Sequence, residues 1–148
     1  MKRMVVIAAV LAFSAGAVVA QQDQVSQTQA QMKETGKNAG ALGAMIKGEK
    51  PYDQAAVDAA LAKFEDTGKK LPTLFPEGTK GLKPDGDYSA SPKIWEDKAG
   101  FAEHIASFAK TVADAKGKIK DLDTLKAELP VIGKQCGGCH ETYRVKKG

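Results

Sequence analysis

Apolar side chains return every seven residues along four stretches of this chain, with polar positions filling the gaps. In the first stretch Val25, Met32, Ala39 and Ile46 keep the period, with Thr28, Thr35 and Leu42 between them. Val57, Phe64 and Leu71 repeat it in the second, with Leu61 one turn away. The third interleaves Ile94, Phe101, Phe108 and Ala115 with Ile105, Val112 and Ile119. The fourth sets Leu122, Leu129, Cys136 and Tyr143 against Leu125, Ile132 and Cys139. A seven-residue repeat lays side chains in one stripe along a helix, and four such stripes can close on a shared core. Period-two alternation is nowhere sustained, so no strand is expected. The pattern predicts an all-α fold, an antiparallel four-helix bundle.

Proline and glycine place the joints. Pro72, Pro76, Pro84 and Pro92 crowd one stretch together with Gly78, Gly81 and Gly86, which reads as a long irregular crossover between helices two and three. Lys50-Pro51 ends the first segment before Asp53, and Ser91-Pro92 opens the third, since proline is tolerated in a first helical turn. Pro130 lies inside the fourth segment. It lacks an amide hydrogen and crowds the preceding turn, so a kink or a division is expected there.

Composition narrows the class. A length of 148 residues allows one domain. The 43% hydrophobic and 27% charged content is that of a globular chain. Lys and Arg exceed Asp and Glu by only 22 to 18, with no basic block of the kind nucleic acid requires. Two cysteines exclude a disulfide scaffold. Residues 1–20 read as a cleaved export signal: Lys2 and Arg3, an apolar run from Met4 to Phe13, then Val18-Val19-Ala20 before Gln21. The run is short for a spanning helix. Residues 21–148 then form the working domain, soluble and periplasmic, and losing Lys2 and Arg3 lowers the formal charge from +4 to +2.

The chemistry concentrates at Cys136-Gly137-Gly138-Cys139-His140. C-x-x-C-H is the attachment pattern of c-type haem: two thiols add across the haem vinyl groups, and the histidine after the second is held beneath the iron. On a helix Cys136 and His140 lie one turn apart on neighbouring positions. Export agrees with this chemistry. A dithiol redox site would need a βαβ context, and a zinc site would need further ligands where His104 is the one other histidine. His104 lies off the main seam and is expected at the surface, while Trp95, Phe101 and Phe108 sit at core spacing. Lys116, Lys118, Lys120, Lys146 and Lys147 read as solvated helix ends, or as a basic rim that steers an acidic redox partner.

A C-terminal C-x-x-C-H on the last of four helices resembles the class II cytochromes c, the cytochrome c′ family. Tyr143-Arg144 after the motif share that resemblance, as do Lys69-Lys70-Leu71-Pro72 with Leu74-Phe75-Pro76, and Pro92-Lys93-Ile94-Trp95. Met45-Ile46-Lys47-Gly48-Glu49 and Tyr52-Asp53-Gln54-Ala55-Ala56-Val57 look like the family's low-spin branch. The resemblance implies one covalent haem c with its iron, His140 as proximal ligand, and a distal residue on the first helix where Met32 falls. A Met/His iron is closed, low-spin and raised in potential, which suits one-electron transfer. An open iron would bind nitric oxide or carbon monoxide, with Met32 an ordinary core side chain. Many high-spin members carry an arginine one turn before the distal position, where this chain has Thr28. By resemblance Arg144 screens the histidine or meets a haem propionate. Redox proteins of unspecified identity are the implied partners, no catalytic turnover is implied, and many members of the family form homodimers through their first two helices.

Overall fold

The computed structural model describes residues 2–147, with side chains from Ala20 onward. The expected export signal, residues 1–20, falls outside the described side chains except for Ala20. Five helices form: α1 (Lys2–Ile46), α2 (Gln54–Lys70), α3 (Lys93–Glu96), α4 (Lys98–Lys118) and α5 (Leu122–Tyr143). The helix α1 packs on α2 and α5, α2 on α4, and α4 on α5, so the four long helices close a ring around one axis. Among the described residues no helix is long and apolar enough to cross a membrane.

The seams predicted for the second and third helices are buried throughout. Val57, Leu61, Phe64 and Leu71 face inward from α2 and its C-cap, and Phe101, Ile105, Phe108, Val112 and Ala115 from α4. The core has two parts. One joins Leu42, Met45, Leu61, Phe64, Val112, Leu125 and Ile132. The other joins Leu71, Leu74, Ile94, Trp95, Phe101, Ile105 and Tyr143. The chain enters the bundle at the second part through Met32 and leaves α1 at the first through Met45, and it returns along α2 to Leu71. The helices α4 and α5 repeat that down-and-up course, so the bundle is antiparallel.

Caps fix the helix starts. The Asp53 carboxylate accepts from the Ala55 and Ala56 amides at 2.9 and 3.3 Å. Asp121 and Thr124 form a reciprocal capping box at the head of α5. The third segment divides at Asp97, whose carboxylate accepts from the Gly100 amide at 3.0 Å and starts α4. The apolar phase survives the break, with Ile94 and Phe101 both inside.

One expectation of the fold is corrected. The chain does hold strands: β1 (Tyr88–Ala90) and β2 (Arg144–Lys146) pair antiparallel, with Ser89 opposite Val145. Three residues are too few to show an alternation, and the partners lie far apart in sequence. Of the two outcomes expected at Pro130, a kink or a division, the division does not occur: Pro130 sits exposed inside a continuous helix. The lost hydrogen bond falls on the solvent side, while Leu125 and Ile132 hold the inner face in the core. The crossover is irregular as expected, with short 3-10 turns at Leu71–Thr73 and Glu77–Thr79. The Trp95 indole pins it by donating to the Phe75 carbonyl at 3.1 Å.

Candidate haem site

At the end of the bundle where the second core part lies, the helices part around a cavity of about 460 Å³. The α5 helix brings Cys136, Cys139 and His140 to its wall, and α1 brings Met32 and Thr28. Leu71, Leu74, Trp95, Phe101 and Phe108 supply an apolar lining. Both thiols are free and half-buried, Cys136 packed against the first core part and Cys139 against the second. The attachment motif therefore straddles the junction of the two.

Burial sets the protonation of this wall. It pushes both thiols above their ordinary range, and for Cys139 the neighbouring Cys136 adds to the effect. The His140 imidazole is pushed down, first by burial and then by the Arg144 charge. A neutral ring is the form that ligates a metal.

Met45 is 5% exposed inside the first core part and does not line the cavity, whereas Met32 is half-buried, lines it and packs on the second part. Of the two methionines downstream of the expected signal, one faces the motif's cavity. Arg144 lies just past α5 in β2, its guanidinium 4.3 Å from the centroid of the Tyr88 ring, and both line the cavity mouth. Contrary to expectation, His104 is not at the surface. It is half-buried, lines the cavity and meets the Tyr143 ring edge-on at 5.4 Å. It stands three residues after Phe101 and four before Phe108, the spacing of one helix face. That spacing was the available signal. The polar group of Gln31, Thr35 and Thr67 on the α1–α2 side gave none, since threonine in a heptad position reads as a gap.

An apolar cavity flanked by a spaced thiol pair, an adjacent imidazole and one thioether is a donor set for a covalently held porphyrin iron. Among the described residues no group of three His, Cys, Asp or Glu side chains is placed to hold a bare metal ion. The bundle and this site together define a c-type haem protein of the helical class. Residues 23–144 match the family model described as Cytochrome C′, and the chain belongs to that family. It is 60% identical to cytochrome c-556 of Rhodopseudomonas palustris, over the full length of both chains. Its identity to cytochrome c′ of the same organism is 41%, across 98% of this chain and 97% of the relative. Among solved structures, a model of oxidised R. palustris cytochrome c556 superposes with a TM-score of 0.76 at 62% identity, covering 86% of this chain and 99% of that one. The R. palustris cytochrome c′ structure gives 0.77 at 41%, covering 85% and 98%. The protein is thus a monohaem c-type cytochrome with covalently attached haem c, in a class of haem proteins rather than enzymes.

Proposed function

We propose that the protein is a periplasmic one-electron carrier whose haem iron would be ligated by His140 and Met32. Cys136 and Cys139 hold the haem by thioethers, and residues 1–20 are removed on export. The observation that carries this reading is the contrast between the two methionines: Met32 at the cavity wall, Met45 enclosed elsewhere. When bound, the haem supplies the iron that alternates between ferric and ferrous states. The residues do the rest. His140, whose ring burial biases toward the neutral form, would offer a ring nitrogen; Met32 would offer a soft sulfur; the apolar lining excludes water from both. Arg144, stacked on Tyr88 at the mouth, lies near enough to His140 to bias it electrostatically, which fits a role in tuning the proximal side. The partner is a redox protein that meets this mouth.

The test is the visible and near-infrared spectrum of the holoprotein, oxidised and reduced, beside a Met32→Ala variant. A ferric methionine–iron charge-transfer band and sharp ferrous low-spin bands, both lost in the variant, are expected. A high-spin spectrum unchanged by the substitution would sink the carrier reading and put a gas-binding iron in its place.

A further inference from the structure

The cavity half of α1 buries no apolar side chain completely: Val25, Met32 and Ala39 are half-buried there. From Ala20 to Ala41 the one buried residue of α1 is a polar one, Gln31, at 9% exposure. Its amide nitrogen donates to the Thr67 hydroxyl of α2 at 2.6 Å and reaches the Asp66 carboxylate at 3.4 Å. The Thr35 hydroxyl lies 2.8 Å from that of Thr67. Thr67 is 2% exposed, and α2 packs on α4 at this level, where Gly68 faces Phe108 and Ala109. So α2 is the fixed reference, and Gln31 and Thr35 tie α1 to it.

Gln31 and Thr35 are four residues apart and share one face of α1. Met32 follows Gln31, about 100° further around the helix. With Gln31 bound to Thr67 beside the cavity, Met32 falls on the cavity wall, which Thr35 and Thr67 also border. Two hydroxyl protons serve three acceptor positions here, those at the Lys63 carbonyl, the Gln31 carbonyl and between the two threonines. The Gln31 bond to Thr67 stands whichever way the hydroxyls point, and the Thr35–Thr67 bond forms when one of the two hydroxyls turns from its backbone carbonyl.

We propose that Gln31, Thr35 and Thr67 form a latch whose hydrogen bonds fix the rotation of α1 and so hold the Met32 sulfur on the iron. They are positioning residues, and the inference rests on the Met32 ligation proposed above. Removing the Thr67 hydroxyl without changing its shape frees α1 to turn and loosens the sulfur.

The test compares holoproteins carrying Thr67→Val, Thr67→Ser and Leu125→Ala with the wild type and with Met32→Ala. Three quantities are read: the ferric charge-transfer band, the rate of carbon monoxide uptake by the ferrous protein, and the unfolding temperature. In Thr67→Val the band should weaken and uptake should quicken about tenfold, the scale of one lost buried hydrogen bond acting on ligation. Thr67→Ser should restore both. Leu125→Ala, in the other core part, should lower the unfolding temperature and leave band and uptake unchanged. Wild-type behaviour in Thr67→Val, failure of the serine to rescue, or an equal change in Leu125→Ala overturns the latch. If the band is present and lost in Met32→Ala while Thr67→Val matches wild type, the latch alone is wrong. If the wild type has no such band, the ligation falls and the latch falls with it.

Discussion

Around Leu42, Phe64 and Leu125 the four long helices meet through apolar side chains, all fully or almost fully buried. Around Met32, Thr67 and Tyr143 the same helices stand apart around the cavity, and polar contacts reinforce the second apolar part of the core: Thr28 to the Leu74 carbonyl at 3.0 Å, Gln31 to Thr67 at 2.6 Å, Tyr143 to Asp97 at 3.0 Å. The difference follows from what each end encloses. A closed end gains by burying as much hydrocarbon as it can. An end that leaves space for a macrocycle gives up helix–helix contact there and needs directional bonds to keep its walls in place. Stability and site geometry are therefore assigned to different residues, and substitutions can separate them.

The largest separation is expected at Phe64, which is 2% exposed in the closed end and absent from the cavity wall. Phe64→Ala should cost about 3–5 kcal/mol through lost burial and the void left behind. Denaturant unfolding of the holoprotein measures it, and the haem spectrum below the transition should match wild type. A spectrum that changes in the folded variant would show that the two ends are mechanically one.

The same division explains what the sequence made legible. Seams in α2 and α4 were readable because every position is buried, even Leu71, Phe101, Ile105 and Phe108 where they also line the cavity. The α1 seam was readable only in part: Val25 and Met32 are half-buried because they border the cavity, and Ala39 is half-buried against the first core part. Met45, one residue off the stripe, is buried because α1 must face α5 as well as α2. The C-x-x-C-H motif announced the site on its own, as chemistry fixes that spacing whatever the fold. His104 was misplaced because the heptad template sorts residues by distance from a protein core, and the cavity widens the inward-facing arc. The β1–β2 ribbon and the break at Asp97 depend on tertiary pairing and a cap, neither of which carries a period.

A middle-sized effect is expected at Gly100, where the open end is most tightly fitted. A Cβ there would stand 2.7 Å from the Tyr143 hydroxyl and collide with the Asp97 carboxylate. Alanine in a helix gains about 1 kcal/mol over glycine. The added methyl would also displace the Tyr143 hydroxyl from the Asp97 carboxylate and crowd the carboxylate that accepts from the Gly100 amide. Gly100→Ala should therefore give a modest net fall in the unfolding temperature, the crowding outweighing the helix gain. A higher unfolding temperature would mean that Tyr143 and Asp97 yield freely and that this corner of the open end is loosely held.

The smallest and most discriminating effect lies in acid. Asp97 is held below the ordinary carboxylate range by the Gly100 amide and then by the Tyr143 hydroxyl. Asp121, capping α5 at the other end, is held down by Thr124. A carboxyl lowered by folding contributes stability that is complete above its unfolded value, near pH 3.9, and is lost as pH falls through the lower folded value. Asparagine caps about as well as aspartate but does not titrate. Asp97→Asn and Asp121→Asn should each flatten the fall in unfolding temperature below about pH 4. They should differ at the haem. Tyr143 lines the cavity and Thr124 does not, so protonating Asp97 loosens a wall of the site, whereas protonating Asp121 loosens only a helix end. An acid titration of the haem spectrum should shift in Asp97→Asn and stay at its wild-type position in Asp121→Asn. Equal shifts in both would mean that the acid transition is global unfolding, and that the two ends do not part company before it.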